Sequence, residues 1–323
     1  MKIGFTTSFP VEVVFAAGHV PIDLNNIFVT QDAKKFVEVA EFDGYPRNIC
    51  SWIKGMYGVV MQSDIKTVIG VVEGDCSNTH SLMETLSEQN IKVIPFSFPY
   101  SKDYESLDFE IKKLEKIFGV TRFETQKVKK RLDKIRKKLI YLDELTYKEN
   151  LITGFENHLW LVSSSDFNGN PDKFENELDG FLSEAEKREP LKFDKRFGFL
   201  GVPPIIFDLY DFLLENNANV VFNEIQRQFA MPYLEEDIVT QYLKYTYPYT
   251  VYDRLKDINE QIEKRNLDGV ISYVQSFCHR QIDNIILKKR IEIPVLTVEG
   301  DQPENLDART KLRIESFLDM LEY

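Results

Sequence analysis

The sequence has few of the residues that build disulfide-stapled, nucleic-acid-binding or membrane-spanning proteins. Only three of its 323 residues are cysteine, an odd number spaced too widely to staple a small secreted fold. Lysine and arginine (40) are outnumbered by aspartate and glutamate (52), and the net charge of -12 argues against binding to the phosphates of nucleic acid. The longest apolar runs are far too short to cross a bilayer.

Motifs of several common enzyme classes are missing as well. The chain has no Walker A loop, no GxGxxG and no HExxH, which removes the usual sequence grounds for intrinsic ATPase, dinucleotide-binding or zinc-protease activity. The start of the sequence lacks the apolar core of a signal peptide. We therefore expect a cytoplasmic protein with reduced thiols and with neither nucleic acid nor a membrane as partner. Any ATP requirement should reside in another protein.

Hydrophobic patterning predicts an α/β fold. With 43% hydrophobic and 28% charged residues, the chain has the composition of a globular protein and the length for two domains. Short apolar runs alternate with segments of helical periodicity, as in βαβ units. The predicted strands and helices of the first half are strands at 2–6, 67–72 and 91–96, and helices at 11–17, at 33–41, after Cys50, and after Cys76 with a capping box at Ser81 and Glu84.

Long charged helices are predicted between about residues 103 and 190, including a basic stretch at 127–138 whose lysines and arginines are typical of a solvated face. A polar turn-rich loop is predicted at 163–171. Strand and helix alternation resumes after residue 190, with Cys278 opening a helix. We accordingly predict an N-terminal domain at 1–190, which carries Cys50 and Cys76, and a C-terminal domain at 191–323, which carries Cys278.

The three cysteines fall at similar places in this pattern. Cys50 lies at a predicted helix start, and Cys76 and Cys278 each follow a strand and precede a helix. In parallel sheets this edge is where sites assemble, and the positive end of a helix favours a thiolate. Zinc normally requires closely spaced ligand pairs such as CxxC, whereas an iron–sulfur cluster fits widely separated cysteines better. By spacing alone, the commoner interpretation is three buried thiols that bind nothing.

Longer stretches carry a resemblance beyond spacing. The sequence resembles the 2-hydroxyacyl-CoA dehydratase family, in particular its D-component-like subunits, and the related double-cubane cluster proteins. The likeness runs from near the first residue to the last and is carried by FPVEVVFAAGHVPIDL, NICSWIKGMYG, GDCSNTHSLMETL, FCHRQIDNIILKKRIEIPVLTVEGDQ and ARTKLRIESFLDMLE.

The resemblance implies a fold and a cofactor. It implies two Rossmann-like (flavodoxin-like) parallel-sheet domains with added long helices, and a [4Fe–4S] cluster in the cleft between the domains, ligated by Cys50, Cys76 and Cys278. Family dehydratases receive one electron from an ATP-hydrolysing iron–sulfur activator and eliminate water from a 2-hydroxyacyl-CoA through a ketyl radical. The expected protein is thus an oxygen-sensitive lyase of anaerobic metabolism that pairs with a related second subunit or with itself.

A second function is compatible with the same resemblance. Double-cubane proteins join two cubanes and reduce small molecules, so the alternative is a low-potential electron-transfer or reductase subunit that does not act on acyl-CoA. Three side chains near the cysteines are the candidate catalytic residues: Glu299 as a base for the substrate proton, His279 as a proton donor or fourth iron ligand, and Ser51 as a hydrogen-bond donor to sulfur or substrate. Further candidates are Glu73, Asp75 and Asp301 as bases, His80 as a proton donor or fourth iron ligand, and Ser77 as a hydrogen-bond donor.

Overall fold

The computed structural model describes residues 1–321, and within them the chain folds into eight strands and fifteen α-helices. The strands are β1 (Lys2–Phe5), β2 (Val20–Asp23), β3 (Thr67–Glu73), β4 (Lys92–Ser97), β5 (Lys195–Leu200), β6 (Ala218–Asn223), β7 (Gly269–Gln275) and β8 (Val295–Gly300).

The helices alternate with these strands and fill the region between β4 and β5. They are α1 (Val11–Ala16), α2 (Leu24–Thr30), α3 (Ala33–Phe42), α4 (Ser51–Met61), α5 (Asn78–Glu88), α6 (Tyr104–Phe118), α7 (Arg122–Tyr147), α8 (Gly154–Ser163), α9 (Pro171–Ala185), α10 (Leu209–Glu215), α11 (Glu224–Phe229), α12 (Ile238–Lys244), α13 (Val251–Arg265), α14 (Asp283–Arg290) and α15 (Ala308–Met320). None of the helices in the described residues is long and apolar enough to cross a membrane.

The chain divides into two compact units, each assembled from three stretches of sequence. The first comprises 1–137, 163–176 and 231–250, and the second comprises 138–162, 177–230 and the chain from Val251 to the end of the described residues. Cys50 and Cys76 belong to the first unit and Cys278 to the second.

The first unit is built on a parallel sheet with the strand order β2-β1-β3-β4. Strand β3, Thr67–Glu73, is buried over its first five residues, as expected for a strand covered on both faces. Helix α4 packs tightly in this unit, because a Cβ on Gly55 would lie 2.4 Å from the Phe28 ring and one on Gly58 would lie 2.1 Å from the carbonyl oxygen of Phe36. The two glycines therefore let α4 approach α2 and α3 closely.

The second unit repeats this strand order with β6-β5-β7-β8, again with every pair parallel. Strand β7 is buried along its whole length. Strands β3 and β7 therefore occupy equivalent positions in the two sheets, and Cys76 and Cys278 follow equivalent strands. The sequence VEGD occurs twice, at 72–75 and at 298–301, but the two copies are not equivalent, because Glu73 ends β3 and Glu299 lies in β8.

Most predicted strands and helices form near their expected positions, but β2, α2, α11, α12 and α13 were not predicted. The proposed capping box is wrong, because Ser77 precedes α5 and Ser81 lies inside that helix. Cys278 opens a short 3₁₀ turn, His279–Gln281, before α14 begins at Asp283, so the predicted α-helix starts later than expected.

The segment 163–171 is not a solvated loop. Ser165 donates a hydrogen bond of 2.6 Å to Asp23, at the end of β2, and Asp166 accepts one of 2.8 Å from the Asp23 amide. Residues 164–167 are buried, whereas Asn168 and Asn170 are exposed. Through these contacts, residues 163–176 belong to the first unit although the stretches on either side belong to the second. The sequence predicted a single boundary near residue 190.

Candidate functional site

Cys50 caps the N-terminus of α4 and is 6% exposed. Its carbonyl oxygen accepts the first hydrogen bonds of the helix, from the amides of Ile53 at 3.1 Å and Lys54 at 3.3 Å. The thiol therefore belongs to a residue at the amide-rich end of the helix, where negative charge is stabilised. This placement agrees with the predicted helix start.

The loop that leads into Cys50, residues 43–49, is held by side chains of α4. The Tyr57 hydroxyl donates a hydrogen bond of 3.0 Å to Asp43, and its ring packs on Tyr45 with a centroid distance of 4.8 Å. Burial, followed by the neighbouring Asp43 carboxylate, raises the pKa of Tyr57 to about 12. The hydroxyl therefore remains a donor at neutral pH.

Cys76 follows β3 through the residues Gly74 and Asp75, and it is half-buried. Two acidic side chains beside it are bonded to the surrounding protein. Glu73 accepts a hydrogen bond of 2.9 Å from the Tyr100 amide, and Asp75 accepts one of 2.9 Å from the Tyr247 hydroxyl. Both carboxylates, which sequence reasoning considered as bases, thus hold the loop that carries Cys76.

Gly74 lets this loop pass through a confined space. Its φ is +92°, a conformation that favours glycine, and a Cβ there would lie 2.8 Å from the Pro248 Cβ and 2.9 Å from the Phe98 Cβ. On the helical side of Cys76, His80 Nε2 lies 3.0 Å from the Val72 carbonyl oxygen. This contact gives His80 a role in fixing the start of α5.

Cys278 follows β7 and starts the 3₁₀ turn of the second unit. Its amide donates a hydrogen bond of 3.0 Å to the Gln275 carbonyl oxygen, which also accepts one of 2.8 Å from the Gln281 side chain. Phe277, the preceding residue, has φ +63° and is 53% exposed. The turn is therefore fixed by hydrogen bonds back to the end of β7.

A buried arginine lies close to Cys278. Arg254 and Cys278 both line a small cavity of about 20 Å³, room for about one water molecule. Arg254 forms a double hydrogen bond with Glu224 at 2.7 and 2.9 Å and donates to Asp283 at 3.2 Å. Because Asp283 starts α14, this cation connects the end of β6 with the helix after Cys278. Sequence reasoning missed both Arg254 and Glu224.

The three candidate catalytic residues lie in different surroundings. Glu299 accepts a hydrogen bond of 2.8 Å from Ser276, two residues before Cys278. Partial burial, and then the charge of Arg280, lower the pKa of His279. Ser51 is 1% exposed in the first turn of α4. Glu299 and His279 are thus neighbours of the Cys278 turn, and Ser51 adjoins Cys50 in the other unit.

The three cysteines are of the residue type that ligates iron–sulfur clusters. None of the three cysteines forms a disulfide, and thiolates are the usual ligands of such clusters. Within residues 1–321 there is no group of three or more His, Cys, Asp or Glu side chains arranged to hold a metal ion. Each thiol lies at the start of a helix or a 3₁₀ turn, where backbone amides favour a negatively charged ligand.

The basic stretch of α7 is only partly a solvated face. Lys129 and Arg136 are buried and form ion pairs of 2.7 Å with Asp133 and Glu12, respectively. The lysines on the outer side of the helix are at least partly exposed, and these are Lys127, Lys130, Lys134 and Lys137. Part of the predicted basic surface therefore contributes to the interior of the protein.

Together these features define an α/β protein of two parallel sheets with cysteine after the equivalent strands β3 and β7. The chain belongs to the family described as 2-hydroxyglutaryl-CoA dehydratase, D-component, whose model matches residues 6–321. The family resemblance predicted from the motifs is therefore confirmed. No curated protein matches the chain. As a component of a dehydratase, a protein of this family works with a partner such as an activator or a second subunit.

Proposed function

We propose that this protein is an iron–sulfur component of a 2-hydroxyacyl-CoA dehydratase and that Cys50, Cys76 and Cys278 ligate a [4Fe–4S] cluster. The observation that carries the proposal is the shared placement of the thiols at amide-rich helix or turn starts, two of them after equivalent strands. Three ligands for four irons leave one iron open to a non-protein ligand. Membership of the family supports the same assignment. The location of the cluster between the domains stays a prediction.

When bound, the cluster would supply low-potential one-electron chemistry and a Lewis-acidic iron for a thioester carbonyl. The side chains of this chain have other tasks. Three loops hold the thiols, and each loop accepts a hydrogen bond from a side chain. They comprise residues 43–49, 73–76 and 275–281. Glu299 is the proposed base for the substrate proton, with His279 as proton donor and Ser51 as a hydrogen-bond donor near Cys50.

The proposed partners follow from this chemistry. An ATP-hydrolysing iron–sulfur activator would deliver the electron, and a related subunit or a second copy of this chain would complete the enzyme. The proposed compartment is the cytoplasm, whose reducing conditions keep thiols available for iron. We expect the activity to be sensitive to oxygen.

The first experiment measures iron and acid-labile sulfide in protein purified and reconstituted without oxygen, together with the electron paramagnetic resonance spectrum before and after reduction. About four irons per chain, with loss of the spectrum in Cys50→Ser, Cys76→Ser and Cys278→Ser, supports the proposal. Iron that stays unchanged in all three variants contradicts it. About eight irons per chain would favour the double-cubane reductase instead.

The second experiment tests the reaction itself. The loaded protein is mixed with ATP, a cognate activator and its related subunit where one exists, and formation of the unsaturated acyl-CoA from 2-hydroxyacyl-CoAs is followed by mass spectrometry. Product that requires the activator and all three cysteines supports a dehydratase. Cluster reduction without acyl-CoA binding contradicts the dehydratase assignment while leaving the cluster assignment intact.

A further inference from the structure

Helix α4 carries a lysine in its buried interior. Lys54 is fully buried, and its ammonium group lies 2.7 Å from Glu41 Oε1 and 3.2 Å from the carbonyl oxygen of Arg47. A buried ammonium group is costly unless it is paired and hydrogen-bonded, so these two contacts are required for the lysine to stay there. A hydrophobic side chain would fill the same position without that cost.

The two contacts of Lys54 join three parts of the structure around Cys50. Glu41 lies near the end of α3, Arg47 lies in the exposed loop at 43–49, and Lys54 itself is one helical turn after Cys50. Helix α4 packs closely against α2 and α3 at Gly55 and Gly58, so Lys54 lies on a well-packed helix. Its ammonium group thus ties a surface loop to a fixed helix.

The second unit carries a buried cation at the equivalent place. Lys54 lies three residues after Ser51, the start of the helix before β3, and Arg254 lies three residues after Val251, the start of the helix before β7. Arg254 is likewise buried, paired with a glutamate, and near a cysteine. The residue before α13 that corresponds to Cys50 is Thr250, so the repeated feature is the buried, paired cation in the first turn of the helix and not its neighbouring cysteine.

We propose that Lys54 is a positioning residue that sets the location and accessibility of the Cys50 thiol by holding the backbone at Arg47. We call the contact between the Lys54 ammonium group and the Arg47 carbonyl oxygen the tether. The inference deepens the proposed function and rests on it, because the purpose of the tether would be to present Cys50 to the cluster. The tether itself is a property of the folded chain and is measurable without any cluster.

The chain offers a matched control. Lys129 is also fully buried on a helix, and its ammonium group also contacts one carboxylate, that of Asp133 at 2.7 Å, and one backbone carbonyl, that of Glu235. Lys54→Met and Lys129→Met therefore remove the same kinds of contact, and only the first lies beside a cysteine. Comparing them separates positioning of Cys50 from a general loss of stability.

The first test uses the apoprotein and follows alkylation of each cysteine by iodoacetamide under argon, by mass spectrometry. We expect Cys50, which is 6% exposed, to react about tenfold faster in Lys54→Met than in the natural protein, since an opened tether exposes the thiol. Reaction of Cys278 should not change, and Lys129→Met should leave the Cys50 rate unaltered. Equal Cys50 rates in both variants would overturn the inference.

The second test uses reconstituted protein and measures iron content, the midpoint potential and the electron paramagnetic resonance spectrum. We expect Lys54→Met to shift the potential and the spectrum, while Lys129→Met keeps both. If the natural protein takes up no iron, the proposed function fails, and the alkylation test still decides the role of Lys54. If Lys54→Met does not fold, Lys54→Gln shortens the side chain and removes the ammonium contact with the Arg47 carbonyl while keeping a polar group, and an unchanged Cys50 rate in that variant also overturns the inference.

Discussion

The Tyr247 hydroxyl donates a hydrogen bond of 2.9 Å to Asp75, the residue before Cys76. These two residues are 172 positions apart, yet both belong to the first compact unit. The contact ties the loop after β3 to the segment before α13. The aromatic stretch YTYPY, at 245–249, thus contacts the residue that precedes Cys76, a candidate cluster ligand.

We expect Tyr247→Phe to loosen this loop without disturbing the fold. Loss of one hydrogen bond to a carboxylate should lower the free energy of unfolding by about 1–2 kcal/mol and raise the alkylation rate of Cys76 in the apoprotein. Tyr100→Phe is the control, because Tyr100 contacts Glu73 through its amide and keeps that bond. A Cys76 rate that rises equally in both variants would show that the hydroxyl of Tyr247 does not hold the loop.

Gly74 should tolerate alanine poorly for two separable reasons. The first is backbone strain at φ +92°, and the second is the contact of a new Cβ with Pro248 and Phe98. Gly44 has φ +102° and nothing within 4 Å of its Cβ position, so Gly44→Ala measures strain alone. We expect Gly74→Ala to lower the free energy of unfolding by about 3 kcal/mol and Gly44→Ala by about 1 kcal/mol, measured by urea denaturation. Equal losses would mean that the close approach at Gly74 is relieved by small shifts.

The sequence predicted the strands that are buried on both faces, because a continuous apolar run such as TVIGVV at 67–72 is typical of a strand in a covered parallel sheet. It did not predict β2, whose four residues VPID, at 20–23, are too few to establish a period. The burial of residues 164–167 could not be predicted either. Serine and aspartate there are turn formers by local rules, and only the contact with Asp23 makes the segment interior.

The placement of the cysteines was also predictable, but the side chains that hold their loops were not. Lys54 interrupts the apolar stretch around Trp52 and Ile53, and this interruption is a local signal that the lysine has a specific partner. The partners themselves, Glu41 and the Arg47 carbonyl, follow from how α3 returns toward α4. Tyr247 and Asp75 meet through tertiary structure, which hydrophobic periodicity does not encode.

Glu299 can act as a base or as a support for the Cys278 turn, and two variants distinguish these roles. Glu299→Gln keeps an acceptor for the Ser276 hydroxyl and removes the basic carboxylate, whereas Ser276→Ala removes the hydrogen bond and keeps the carboxylate. We expect Glu299→Gln to lower the dehydration rate by about 100-fold or more at unchanged iron content, and Ser276→Ala to have a small effect. Full activity in Glu299→Gln would exclude it as the base, and loss of iron in both variants would assign it to the support of Cys278.

The buried carboxyl groups of Asp23 and Asp166 should make the stability of the apoprotein depend on pH. Burial, and then the charge of Asp23, raise the pKa of Asp166 from 3.8 to about 7, and burial also raises the pKa of Asp23. A raised folded-state pKa means that the folded protein favours the protonated acid. Its contribution is therefore complete below about pH 4 and is lost as the pH rises through about 7.

We expect the free energy of unfolding to fall between about pH 4 and 8 by an amount on the order of 4 kcal/mol from Asp166 alone, in the absence of compensating groups. In Asp166→Asn the side chain cannot ionise, so the decline should flatten, as measured by urea denaturation at several pH values. Asp194→Asn removes an exposed carboxylate and should keep the slope of the natural protein. A slope that is identical in all three proteins would show that Asp166 is already ionised at low pH, and that its hydrogen bonds from the amides of Asp23 and Asn168 outweigh the cost of burial.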